Sequence, residues 1–198
     1  MKKLLHEEPV DRNRVFAVGV SNGGFFCQRL AVEMTDQFAA VASIISSLPE
    51  ELAQTKPKPH PISVLLMNGT SDPIVPYVGG EVSIRSLLPP RARRLPLSSR
   101  GRCLSTDRTI EYWKRHNAIT SQPKVSILPN RDPEDGCRIE RKEWIGKNGA
   151  RVVLYKIMGG GHGLPGRSQY FPKDRIGNIC QDIDGMEEVW EFFAQVKR

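Results

Sequence analysis

No stretch of the 198-residue chain reaches the roughly 18 consecutive apolar residues that a membrane-spanning helix requires, so no membrane partner is expected. The start, Met1-Lys2-Lys3-Leu4-Leu5-His6-Glu7-Glu8, is too short and too acidic for the apolar region of a signal peptide, and the chain as written is expected to carry no export signal. Cysteine is sparse. Cys27, Cys103, Cys137 and Cys180 include no Cys-x-x-Cys pair, which excludes the common zinc frameworks and predicts no metal. Four thiols allow three pairings or none, and the redox compartment stays open; Cys27, within a helical pattern, reads as a small buried apolar residue. Aromatic residues are missing where a nucleic-acid site would need them. The net charge is +7 and the pI about 9.4, and Arg91, Arg93, Arg94, Arg100 and Arg102 crowd one stretch. That stretch holds Pro89, Pro90, Pro96 and Gly101 but nothing that could stack on a base, so it reads as a solvated, poorly ordered loop and no nucleic-acid partner is expected.

With 39% hydrophobic and 26% charged residues, the chain has enough apolar material for one core, and residues 1–198 are read as a single domain. Its organising stretch is Val15-Phe16-Ala17-Val18-Gly19-Val20-Ser21-Asn22-Gly23-Gly24-Phe25-Phe26. A short apolar run, read as a buried strand, enters Gly-x-Ser-x-Gly and then a helical pattern. Strand, sharp turn and helix in that order form a nucleophile elbow, which presents a serine hydroxyl above a sheet edge. Gly19 and Gly23 are expected to let strand and helix approach closely. The helix start directs backbone N–H groups, that of Asn22 first, at any oxyanion formed beside Ser21.

Residues 1–8 read as the last turns of a helix stopped by Pro9. From Asn22 to about Thr35, Phe25, Phe26, Leu30, Ala31 and Met34 recur at helical spacing and predict the face packed on the sheet. Buried strands are predicted at 38–45 and 62–67, so the segment order is that of a parallel sheet. The third strand ends in Asn68-Gly69-Thr70-Ser71-Asp72-Pro73, which puts an acid past its carboxyl end; taken alone, Asp72 is equally a turn-former. A helix capped by Thr106 or Asp107 is predicted to about His116. Extended segments at 125–128, 138–145 and 151–158, joined at Asp135-Gly136 and Asn148-Gly149, predict at least one antiparallel pairing near 124–158. The last segment delivers Gly159-Gly160-Gly161-His162-Gly163. Of four histidines, His162 alone follows a buried strand within a glycine run, where its ring has room to swing towards a serine. A helix from Ile183 to about Val196, with Ile183, Met186, Val189, Trp190 and Phe193 on one face, closes the chain.

Ser21, Asp72 and His162 thus follow predicted strands in the chain order Ser, Asp, His, which belongs to α/β-hydrolases rather than to chymotrypsin-like or subtilisin-like enzymes. Asp182 and Asp184 are competing carboxylates. Across essentially its whole length the chain resembles the polyhydroxybutyrate depolymerase and feruloyl esterase family of α/β-hydrolases. The residues that carry the resemblance are Gly19-Val20-Ser21-Asn22-Gly23-Gly24, Asn68 to Tyr77, Gly159-Gly160-Gly161-His162 with Pro165-Gly166, and Asp182-Ile183-Asp184 leading into Val189-Trp190-Glu191-Phe192-Phe193.

The resemblance implies an α/β fold with a mostly parallel sheet and helices on both faces. It further implies a serine esterase acting through Ser21, Asp72 and His162 with Asn22 in the oxyanion hole, no cofactor, a small-molecule or polymeric ester as substrate, and secretion of the full-length protein. Two departures stand out. Gly163-Leu164 replaces the family's frequent Thr-Trp after the histidine, and only twenty residues precede Ser21, where the family carries further strands and a His-Gly-rich loop that supplies a second oxyanion donor. The chain is therefore expected to be an N-terminally incomplete domain, weak in activity and prone to self-association through an exposed sheet edge. The alternatives are a serine peptidase of the prolyl-oligopeptidase type and a catalytically inert fragment or binding module.

Overall fold

A computed structural model describes residues 7–57, 59–94 and 99–197. The helix expected at the start of the chain falls largely on residues 1–6, outside the described residues. Among the described residues eight strands form, in chain order β1 (Phe16–Val20), β2 (Ala40–Ile44), β3 (Ser63–Gly69), β4 (Gly80–Glu81), β5 (Arg102–Cys103), β6 (Lys124–Ile127), β7 (Arg138–Ile145) and β8 (Arg151–Met158). Six build one sheet in the order β1-β2-β3-β8-β7-β6, and β4 and β5 pair separately. The first four are parallel neighbours, while β7 runs antiparallel to both β8 and β6. The sheet is thus mostly parallel with an antiparallel flank, an α/β-hydrolase type of sheet whose antiparallel part lies where the hairpin-type turns predict it.

Side chains of β2 and β3 alternate between two cores, as successive residues on a strand must. Ala40, Ala42, Ile44, Leu65 and Met67 meet Val189, Phe192 and Phe193 of the closing helix α5 (Gly185–Ala194) on one face. Val41, Val64 and Leu66 meet Cys27, Ala31 and Val32 of α1 (Asn22–Glu33) and Ile110 and Trp113 of α3 (Thr106–His116) on the other. Helices therefore cover both faces. Two further single-turn helices, α2 (Glu50–Ala53) and α4 (Lys173–Ile176), lie in connections. A third cluster of Ile74, Val75, Cys103, Ile176 and Ile179 supports the turn that follows β3.

Several expectations need correction. β1 is not a buried strand. It has one partner among the described residues, and only Phe16 of its outward set is covered, stacked on Phe193 at 4.6 Å; Val18 and Val20 remain 41% and 39% exposed. The buried face of α1 is turned from the expected one: Gly24, Cys27, Gln28, Ala31 and Val32 are inside while Phe26 is 59% exposed. Gln28 is drawn in because its Oε1 accepts the Trp113 Nε1–H at 2.8 Å, so a polar residue outcompetes a phenylalanine for a core position. The cap of α3 is Ser105, whose Oγ accepts the Arg108 N–H, rather than Thr106, which is buried at an Asn68 hydrogen bond. On α5 Trp190 faces solvent at 66% exposure. The arginine stretch contains two short 3₁₀ turns, Arg85–Leu87 and Ala92–Arg94; residues 95–98 fall outside the described residues.

Candidate active site

Ser21 occupies the turn between β1 and α1 at φ 53°, ψ −116°, a left-handed conformation that a serine adopts only at a cost of about 1–3 kcal/mol. The turn is held from several sides. The Ser21 N–H donates to the Ile44 carbonyl at 2.9 Å, and a Cβ on Gly19 would fall on the Gly23 carbonyl. A Cβ on Gly24 would collide with the Ser46 hydroxyl, whereas one on Gly23 would meet nothing. The close approach that the sequence assigns to Gly19 and Gly23 is therefore made at Gly19 and Gly24; Gly23 contributes its backbone.

Asp72 lies just past β3 and is buried. Its Oδ1 accepts the N–H groups of Ile74 at 2.8 Å and Val75 at 2.9 Å, the bonds of a turn-former. Its Oδ2 is left free for His162 Nδ1, 2.7 Å away. The two readings of this residue are thus both true, one for each oxygen. His162 follows β8, is also buried, and brings Nε2 to 2.8 Å from Ser21 Oγ. Since Nδ1 faces a carboxylate, the proton belongs on Nδ1, where it is donated to Asp72. Nε2 is then the acceptor for the Ser21 hydroxyl. Three residues far apart in sequence meet at the carboxyl ends of three parallel strands, the usual site position in such sheets.

The backbone around His162 is fixed by the segment between α4 and α5. The His162 N–H donates to the Ile176 carbonyl at 2.5 Å, Gly161 to that of Asn178 at 2.7 Å and Gly166 to that of Cys180 at 2.8 Å. The competing carboxylates are committed elsewhere. Asp182 Oδ1 accepts the N–H groups of Arg131 and Asp132, and Asp184 Oδ1 caps α5 through Met186 and Glu187.

Two contributors escape sequence reading. Asn68 is buried; its Oδ1 accepts the Ser46 N–H and its Nδ2 donates to the Ser46 carbonyl and Thr106 Oγ1, tying the end of β3 to the loop behind the elbow. It lies in the motif around Asp72, but nothing in its spacing signals this role. Tyr170 donates its hydroxyl to the His162 carbonyl at 2.6 Å and packs edge-to-face with Phe171. Burial and the Asp72 charge push its phenol above the ordinary range. This pair supplies aromatic surface beside the histidine, while Leu164 packs against the core. Beside Ser21, Asn22, Gly23, Phe25, Phe26, Arg29, Pro49, Glu51 and Leu52 line an open groove of about 500 Å³.

The chain is similar to two curated proteins and to a solved structure. The chain is 33% identical over 184 residues to a protein named "Putative esterase NocK" from Nocardia uniformis subsp. tsuyamanensis, a match covering 92% of this chain and 52% of that protein. It is 28% identical over 164 residues to "Feruloyl esterase B" of Piromyces equi, covering 82% of this chain and 27% of that one. Both of these relatives carry the name of esterase. The chain spans about half the length of the first and about a quarter of the second. Among solved structures a thermostable esterase aligns over 100% of this chain and 35% of its own, with a TM-score of 0.48 and 14% identity. No family model matches the chain.

Proposed function

We propose that this chain is a serine carboxylic-ester hydrolase of the polyhydroxybutyrate depolymerase and feruloyl esterase kind, working through an acyl-enzyme on Ser21. The observation that carries the reading is the hydrogen-bonded line from Asp72 through His162 to Ser21 at 2.7 and 2.8 Å. In this mechanism Ser21 Oγ attacks the ester carbonyl carbon as His162 Nε2 takes its proton. Asp72 holds the imidazole in orientation and stabilises the imidazolium. The N–H of Asn22, at the start of α1, faces the developing oxyanion. His162 then gives the proton to the leaving alcohol, and water, activated by the same nitrogen, releases the acid. No step calls on a cofactor.

The groove beside Ser21, with Phe25 and Phe26 in its wall, suits an acyl or aromatic acid group, and a small-molecule or polymeric ester is the substrate class. Residues 1–198 act as one domain in this reading, and an extracellular location of the protein rests on the family resemblance. The half-exposed β1 makes self-association through the sheet edge part of the same proposal.

A fluorophosphonate probe tests the assignment. It is expected to label the wild-type chain at Ser21 and to leave Ser21→Ala unlabelled, with aryl-ester hydrolysis lost in the same variant. Equal labelling of both proteins would remove the assignment, and turnover of peptide anilides in preference to aryl esters would overturn the substrate class.

A further inference from the structure

Of the four cysteines, none of which any step above uses, two come together near the segment that braces His162. Cys137 sits directly before β7 and Cys180 two residues before the buried Asp182. Both are buried, and their sulfurs and an Asp135 carboxylate oxygen all lie within 4.8 Å of one another. The surrounding backbone is already clamped. Asp135 Oδ1 accepts the Cys137 N–H at 2.6 Å and its Oδ2 accepts the Gln181 N–H at 2.6 Å, so one carboxylate holds both cysteine-bearing turns. Cys27 and Cys103 belong to two other clusters of the core.

We propose that Cys137 and Cys180 form a disulfide that staples the segment bracing His162 to the start of β7. Three lines support this. The sulfurs are neighbours in a site whose backbone is fixed on both sides, so a small side-chain adjustment suffices for bonding. The bond would join two sulfurs already in hydrogen-bond contact inside an apolar cluster with Ile139, Tyr155, Ile157 and Ile183, at the loss of only weak thiol hydrogen bonds such as that of Cys137 to the Asp135 carbonyl. It would also anchor Cys180, whose carbonyl accepts from Gly166, beside the Asn178 and Ile176 carbonyls that accept from Gly161 and His162.

A metal is the rival use of this trio, and its chemistry fits less well. Both oxygens of Asp135 already accept backbone N–H groups. The hydrogen bond with Cys137 and burial together push the Cys180 thiol far up, opposite to the thiolate a metal needs.

Because both sulfurs are shielded in the folded chain, the bond forms during folding or in an opened form, where the thiols have ordinary acidity. The thiolate of one cysteine attacks a low-molecular-weight disulfide such as oxidised glutathione, expelling one thiol. The second cysteine's thiolate attacks the resulting mixed disulfide and expels the other thiol. Two electrons pass from the protein sulfurs to the small disulfide, and the two protons end on the two thiols released. Once the fold closes, the bond is sheltered from reductant.

The wild-type chain is refolded in a glutathione redox buffer, dialysed, and its thiols are titrated in denaturant. Two free thiols are expected in place of the four of the reduced chain, and non-reducing peptide mapping is expected to find Cys137 joined to Cys180. Closing a loop of about 40 residues predicts a Tm about 5–10 °C above the fully reduced chain. Cys137→Ala and Cys180→Ala should each lose that redox-dependent difference, while Cys27→Ala should keep it. The effect on hydrolysis, a faster thermal loss of activity in the reduced form, rests on the Ser21–His162 reading; the thiol count and the map do not. Four free thiols after oxidation, a link through Cys27 or Cys103, or one equivalent of zinc retained through dialysis would each overturn the proposal. Should a variant fail to fold, the titration and map of the wild-type chain still decide.

Discussion

Asp72 divides its two oxygens between a turn and an imidazole, and that division sets what each substitution should do. In Asp72→Asn the amide oxygen can keep the turn bonds, but the NH₂ then faces Nδ1 and favours the wrong tautomer. The chain is expected to fold with near wild-type Tm and to lose about 10⁴ in kcat on an aryl ester. Asp184→Ala, which removes the cap of α5 and an exposed ion pair with Arg167, should leave kcat unchanged and lower stability by about 1 kcal/mol, read from denaturant midpoints. The reverse pattern would make Asp184 the operative acid. Acid stability is set elsewhere. Burial alone would raise the Glu143 carboxyl, but hydrogen bonds and charge from Arg151 and Arg141 outweigh it and hold it below the ordinary range. Burial lowers His116, partly offset by its bond to the His60 carbonyl. Both groups are depressed in the folded chain, so the unfolded chain binds more protons between the folded and unfolded values. Their stabilisation is complete above the unfolded values and is lost as pH falls through the folded ones, which lie below the ordinary histidine and carboxylate ranges. Tm is therefore expected to decline on acidification, and His116→Gln should flatten the limb just below pH 6.5 while leaving the more acidic limb, a pattern that calorimetry across pH 4–8 would check.

The turn at Ser21 depends on two close approaches, of Gly19 to the Gly23 backbone and of Gly24 to the Ser46 side chain. Gly19→Ala would drive a methyl onto the Gly23 carbonyl and Gly24→Ala onto Ser46, so both should lower Tm and abolish probe labelling of Ser21. Gly23→Ala has open space in front of it inside α1 and should fold at least as stably as wild type, gaining up to about 1 kcal/mol of helix propensity. Equal damage from all three would show that chain flexibility, rather than close approach, is what the glycines provide. Between α1 and α3 the Gln28–Trp113 bond plays a similar positioning part. Gln28→Leu should cost about 1–3 kcal/mol by leaving the indole N–H buried without an acceptor. A gain in stability, measured by urea denaturation, would mean that the polar pair opposes packing.

Across the molecule, the sheet leaves apolar residues exposed on the strand that carries Ser21 at its end. Phe16, Val18 and Val20 share one face, yet α5 reaches only Phe16. Val18→Lys puts a charge on a strand with a single partner among the described residues and should suppress association, seen as a shift to monomer in sedimentation velocity at unchanged Tm. If wild type is already monodisperse at the same concentration, the edge is not a contact surface. The antiparallel flank β6-β7 lies at the other end of the sheet and leaves Val125 and Ile127 exposed as well, so the same experiment with Val125→Lys separates the two edges.

Element type and order were legible from residue pattern alone because they are local properties. Apolar runs of strand length, turn pairs such as Asn148-Gly149, and a strand–Gly-x-Ser-x-Gly–helix sequence each report on a few neighbouring residues, and β7 begins and ends where its pattern predicts. The chain order of Ser21, Asp72 and His162 carried the hydrolase reading for a similar reason: each follows its own strand, and parallel strands bring their carboxyl ends together. What local pattern could not decide was which apolar residues would find cover. Phe26 and Trp190 recur at helical spacing but stay exposed, while Gln28 is buried because a partner 85 positions later offers an N–H. Nor could spacing bring Cys137 beside Cys180 or divide the oxygens of Asp72, since both depend on where β7, β8 and the segment after α4 meet. Burial and pairing are sums over neighbours distant in the chain, and only the folded chain fixes which neighbours those are.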